Sequence, residues 1–115
     1  MAVTIYHNPR CSKSRQTLQL IEENNIEAVV VEYLKTPPSK AELKNILKML
    51  NMTPRDLLRK KETEYSAQGL DDMSLSDDQI IDIMIAHPKL IERPIVVTGG
   101  KAALGRPPEN VLDII

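Results

Sequence analysis

Cys11 is the residue with the most distinctive chemistry in this sequence, and it is the chain's one cysteine. It follows the polar run His7-Asn8-Pro9-Arg10, and a helical pattern begins just after it, at Ser12. Backbone N–H groups and the dipole at a helix N-terminus favour a thiolate and lower its pKa. Arg10, Lys13 and Arg15 stand close in sequence and add positive charge. A free cysteine is often a small buried hydrophobe. Here the neighbours are Arg, Ser and Lys, which points instead to a reactive thiol. Cys11-Ser12-Lys13-Ser14 is a C-x-x-S sequence. One helical turn brings Ser14 near the sulfur, where its hydroxyl can donate to a thiolate but cannot resolve a mixed disulfide.

Other polar groups are candidates to act with this sulfur. Pro94, in Arg93-Pro94-Ile95, sits where a strand begins, a place that suits a residue with no ladder donor. In a thioredoxin-like fold the proline at this position is usually cis and faces the nucleophile; a plain strand-entry proline is the other reading. Arg59, Arg93 and Arg106 each stand beside an apolar stretch. Taken singly, each reads as a surface group. Converging on a thiolate, their guanidinium groups would make a site for a tetrahedral oxyanion, because arginine offers planar paired donors. His7, just before the Cys11 loop, is placed either to assist by hydrogen bonding or to sit solvated in a turn. His87, before Pro88, reads as a helix-end residue favoured by the dipole. With 2 His and 1 Cys, no cluster has metal-ligand spacing. Gly99-Gly100 lies outside any phosphate-loop pattern and reads as a hairpin turn.

The elements that must position these groups follow from periodicity and punctuation. Val3–Tyr6 reads as a short buried strand. Thr17, Leu18 and Ile21 share one face of a helix that starts at Ser12 and closes near Asn24-Asn25. Val29–Tyr33 is a β-branched second strand, so the opening implies a right-handed parallel crossover. Ser39 with Glu42 predicts a capping box for a helix to about Leu50. Thr53-Pro54 predicts another helix start, carrying Leu57, Leu58 and Arg59. Ile80, Ile81 and Met84 mark a helix from about Ser76 to Ala86. Pro94–Thr98 and Ala102–Leu104 flank the glycine turn as strands, and a closing helix runs from about Pro108 to Ile114. The order is βαβ, several helices, then ββα. It predicts an α/β, thioredoxin-like fold: a mixed four-stranded sheet with helices on both faces and a helical insertion between its halves.

Composition bounds the function classes. At 115 residues the chain fits one domain, spanning 1–115. Its 15 basic and 16 acidic residues argue against a general nucleic-acid or membrane-surface binder. No apolar run approaches the ~20 residues that cross a bilayer, and Met1–Tyr6 lacks the features of a signal peptide. A lone cysteine excludes an internal disulfide framework and suits a reducing compartment, so a cytoplasmic location is expected.

In order along the chain, His7–Arg15, Tyr33–Pro38, Leu57–Lys60, Leu90–Val97 and Gly105–Glu109 resemble the arsenate reductase family of the glutaredoxin-dependent type. The resemblance spans essentially the whole chain. It implies Cys11 as the nucleophile that attacks arsenate, Arg59, Arg93 and Arg106 as oxyanion binders, and His7 and Ser14 as supports of the thiolate. The implied cycle passes from a Cys11–arsenate adduct, through attack by glutathione as co-substrate, to resolution by glutaredoxin and release of arsenite; no cofactor is bound. A single cysteine agrees with this, since resolution must come from outside the chain. Ser12-Lys13 stands where resistance-associated members commonly carry Gly-Thr. Two alternatives stand beside this reading: a general glutathione-dependent thiol reductase, and a non-enzymatic module that binds RNA polymerase. The arginine trio separates the first from the main reading, because a disulfide has no oxyanion to clamp. The absent C-x-x-C weighs against the second.

Overall fold

β1 (Val3–His7) is the strand around which the rest of the sheet assembles in the computed structural model, which describes residues 2–115. It pairs in parallel with β2 (Ala28–Glu32) and antiparallel with β3 (Ile95–Thr98), which turns back into β4 (Lys101–Leu104). The result is a four-stranded mixed sheet in the order β2-β1-β3-β4. Gly99 and Gly100 make the β3–β4 turn with φ of 55° and 77°, the paired left-handed conformation that two-residue hairpins require.

The side-chain period of a strand is two, so Val3 and Ile5 point to one face, and Val96, the register partner of Ile5, joins them. Ile21 from α1 (Ser12–Glu23) and Val111 complete the buried cluster, with Leu18, Ile26 and Ala103 packed against it. α1 ends as its asparagines suggest. Asn25 takes a φ of 58°, and the Asn25 and Ile26 N–H groups donate back to Glu22 and Ile21 carbonyls at 3.0 and 3.3 Å.

The chain separates into two compact units, one built from residues up to Thr36 with Arg93–Ile115, the other from Pro37–Glu92. The second is helical: α2 (Lys40–Leu50), the short α3 (Thr63–Ala67) and α4 (Asp77–Ala86). The Ser39–Glu42 capping box forms as expected, and Ser76 caps α4 with Gln79 in the same way.

Two of the expected helices are tighter than anticipated. Thr53 and Asp56 do cap each other, but Pro54–Leu57 is a 3-10 turn, and Leu58 leaves it extended. The reason lies in the pairing that follows: Leu58 bridges Ile91 antiparallel, with Arg59 N–H on the Leu90 carbonyl at 2.8 Å and Glu92 N–H on the Leu57 carbonyl at 2.9 Å. Continuing the helix would forfeit those bonds. The closing segment Pro108–Asp113 is likewise 3-10, with Asn110 N–H donating to the Pro107 carbonyl at 3.1 Å. α3 and a 3-10 turn at Pro88–Leu90 were not legible from periodicity, being too short to complete an apolar stripe.

Candidate functional site

The loop between β1 and α1 is organised around Asn8, which is buried. Its side-chain oxygen accepts from Arg10 N–H at 3.0 Å, and its carbonyl accepts from Cys11 N–H at 3.0 Å. Its own N–H donates to Ser14 Oγ at 3.0 Å. Arg15 reaches back to the Pro9 carbonyl at 3.0 Å and braces the same loop. Cys11 therefore sits as the N-cap of α1, in an extended conformation, beside the first helical amides.

Those amides and Arg93 together set the state of the thiol. Burial of Cys11, whose residue is 8 % exposed, opposes ionisation. The Ser14 N–H, the hydrogen bond and charge of Arg93, and the Lys13 N–H outweigh burial, and the pKa falls below its ordinary value. The Ser14 contribution comes from its backbone. Its hydroxyl is occupied elsewhere, 2.6 Å from His7 Nδ1 and accepting from Asn8. His7 is buried rather than solvated in a turn. Burial lowers its pKa, Glu32 partly opposes this, and Arg15 lowers it further, so the ring is neutral at neutral pH.

Sheet register explains why distant arginines meet this sulfur. Tyr6 pairs with Ile95, so Arg93 and Pro94 lie just beyond the C-terminal end of β1, where the Cys11 loop starts. Ile95 pairs with Leu104, which sets Gly105 and Arg106 beside Pro94 and Arg93. Gly105 N–H donates to the Pro94 carbonyl at 3.0 Å, and Arg106 Nε donates to the Arg93 carbonyl at 2.8 Å. From there Arg106 Nη2 stands 3.7 Å from Cys11 Sγ. The Arg93–Pro94 peptide is cis, as expected of a thioredoxin-like site, and so is Arg106–Pro107.

Gly105 allows the approach. A Cβ there would run into the Thr17 side chain and stand 2.8 Å from Pro94 Cγ. Asn8 and Gly105 were not among the site residues read from the sequence. Asn8 before a proline and Gly105 at the end of a strand were the available signals, but neither carries chemistry of its own.

Arg59 lies in the helical unit. Its guanidinium bonds Glu92 at 2.7 Å and Glu62 at 3.3 Å. Burial works against its charge, but Glu92 and Glu62 more than compensate, and its pKa is raised. Among the described residues no group of His, Cys, Asp and Glu is arranged to hold a metal, and no helix is long and apolar enough to cross a membrane.

A cysteine at the start of the helix after β1, with a cis-proline at the head of the antiparallel β3, defines a thioredoxin-like α/β protein. The ArsC family matches over residues 6–114, and the chain belongs to that family. Uncharacterized protein YfgD of Escherichia coli strain K12 is 55% identical over 114 residues, 98% of this chain and 96% of its own length. An arsenate reductase of Rhizobium meliloti is 50% identical over 115 residues, 100% of this chain and 82% of its own. The solved arsenate reductase of Vibrio cholerae superimposes with a TM-score of 0.96 at 52% identity, covering 100% of this chain and 98% of that one.

Proposed function

We propose that this protein is an arsenate reductase, acting in the cytoplasm as a single domain over residues 1–115, with glutathione and a glutaredoxin as electron donors. The observation that carries the reading is the pairing of a thiol with guanidinium groups: Arg106 Nη2 lies 3.7 Å from the Cys11 sulfur, and Arg93 lowers the Cys11 pKa through its hydrogen bond and charge. A thiolate approaching an anionic tetrahedral oxyanion meets charge repulsion, and fixed cations that stay charged at every working pH relieve it. The names of relatives at about half identity support the choice of arsenate as the oxyanion.

In this reading Cys11 attacks arsenic, an S–As bond forms, and one oxygen leaves as water. Arg93 and Arg106, with Arg59 assigned by its motif, hold the remaining oxygens. His7 and Ser14 support the loop that presents the thiolate, and Pro94 lines the site opposite it. Glutathione then adds its sulfur to arsenic, and a second oxygen leaves as water. Glutaredoxin's thiolate then takes that sulfur as a mixed disulfide, and the electron pair left behind reduces As(V) to As(III). Water releases arsenite and restores Cys11. Both electrons come from the two external thiols, in keeping with a chain that has 1 Cys.

The test is arsenite formation by the purified protein. Arsenite is expected when arsenate, glutathione and glutaredoxin are all present, and none is expected from Cys11→Ser. Reduction of a glutathione-mixed disulfide without any arsenite would replace this reading with a general thiol reductase.

A further inference from the structure

The turn leaving β2, within the Tyr33–Pro38 segment, lies outside the arginine and thiol group described above and lines a cleft beside the Cys11 loop. The cleft has a volume of about 370 Å³ and lies among Pro9, Arg10, Glu32, Leu34 and Lys35, with the buried His7 and Asn8 also on its wall. That volume falls within the roughly 300–1,000 Å³ of small-ligand pockets. Two segments of chain build it. β1 and β2 run in parallel register, with His7 opposite Glu32, so their C-terminal ends deliver the nucleophile loop and the β2 turn side by side. The turn is closed by Lys35 and Thr36 N–H groups, both donating to the Glu32 carbonyl at 3.0 Å.

We propose that this cleft seats glutathione. The inference rests on the arsenate reductase reading for the need of such a co-substrate, and on the cleft for its location. The charges complement that molecule. Arg10 and Lys35 are exposed cations and Glu32 is an exposed carboxylate. Glutathione carries the reverse set, two carboxylates and one ammonium. Lys35 Nζ stands 3.7 Å from Glu32 Oε1, a solvent-exposed contact of little strength that a ligand can exchange for its own. Leu34, a large apolar side chain left 37% exposed, offers a surface for the ligand's aliphatic stem. The cleft wall also includes the residue next to the thiol. Arg10 directly precedes Cys11, and the loop is pinned by the Asn8 carbonyl on Cys11 N–H at 3.0 Å. A tripeptide held there can turn its sulfur toward an adduct on Cys11 while Arg93 and Arg106 hold its oxygens.

Lys35→Glu reverses one charge at an exposed position outside the arginine and thiol machinery. S-methylglutathione, which has no free thiol, is the binding probe, followed by calorimetry and by backbone amide shifts. Saturable binding to the wild type is expected, with shifts confined to residues 7–10 and 32–36. In Lys35→Glu, affinity for the probe should fall about tenfold and the KM for glutathione should rise about tenfold at unchanged kcat, the mark of a lost binding contact. The KM for arsenate and the pH profile of Cys11 alkylation should not move. Lys35→Ala, with a smaller change in the same direction, guards against a folding defect in the reversal. Wild-type KM for glutathione in a folded Lys35→Glu enzyme that still makes arsenite would overturn the cleft and leave the reductase reading standing. Probe binding at the cleft in a protein that makes no arsenite would do the reverse. No saturable probe binding to the wild type sinks the cleft.

Discussion

Cys11 is subject to opposed influences, and the balance between them can be measured. Burial favours the thiol, while two helix amides and Arg93 favour the thiolate and prevail. The midpoint of iodoacetamide alkylation against pH is therefore expected below the free-thiol value of about 8.5. Arg93→Ala should raise it, because the remaining amides must then offset burial alone. A midpoint at or above the free value in the wild type would refute the activation of Cys11. The same substitution also bears on turnover. Removing one preorganised donor from a developing oxyanion costs on the order of 2–4 kcal/mol, roughly a hundredfold in rate. Arg59→Ala, Arg93→Ala and Arg106→Ala should each lower kcat/KM for arsenate by that order while the proteins remain folded, as followed by steady-state kinetics beside thermal melts. Three folded variants with wild-type turnover would remove the oxyanion site. Ser14→Ala tests a different role. Its hydroxyl, 0% exposed, serves both His7 Nδ1 and Asn8 N–H, so its loss leaves buried polar groups without a partner. The expected cost is about 1–3 kcal/mol in urea unfolding.

At the level of elements, the segment after β4 is the most constrained piece of chain near the site. Its glycine is needed for close approach, since Thr17 on α1 and Pro94 before β3 occupy the space a side chain would take. Gly105→Ala forces α1 and the Arg106 segment apart. A loss of about 1–3 kcal/mol in denaturant unfolding is expected, together with a higher Cys11 alkylation midpoint as the nearby arginines shift. Unchanged stability would mean that Thr17 yields without cost. Caps and glycine turns were the most legible parts of the chain. Ser39 with Glu42, Asn25 at the end of α1 and Gly99-Gly100 all form as their residue types require, while the Ser76–Gln79 capping box of α4 was not read from the sequence. Helix type after Thr53 and after Pro107 was not legible. A proline and a cap announce that a turn begins. Whether it continues as a helix depends on what the next residues pair with, and for Leu58 that partner is Ile91, far along the chain.

For the molecule as a whole, the shifted groups give stability a pH dependence with a definite sign. His7 and Cys11 both have folded-state pKa values below their ordinary ones. Over the interval between the two values the unfolded chain binds more protons, so stability rises with pH. For Cys11 this gain runs from its folded pKa up to the free value of about 8.5. For His7 it is complete above about 6.5 and is lost as pH falls through the folded value. Glu42, held low by its Ser39 cap, adds a further loss at more acid pH. Urea midpoints between pH 5 and 9 should therefore climb with pH. Cys11→Ala should flatten the alkaline part and leave the acid part in place. A midpoint that rises on acidification below pH 6.5 would contradict the assignment of His7 as a buried neutral ring.

Local chemistry determined much of this protein before any fold was known. The order of the main strands and helices, the start of α1 at Cys11 and the glycine hairpin follow from periodicity, caps and residue types within a few positions of one another, whereas the candidate arginines rested on the family resemblance. The tertiary structure decided the adjacencies. Arg106 lies 95 residues from the sulfur it approaches, and only the pairing of β1 with β3 and of β3 with β4 brings it there. It also divided the labour of Ser14, sending its hydroxyl to His7 and leaving its backbone N–H to the thiol. Sequence spacing shows which groups lie one turn apart, whereas a hydroxyl's choice between two acceptors depends on which is buried beside it, and burial is a property of the packed sheet and helix.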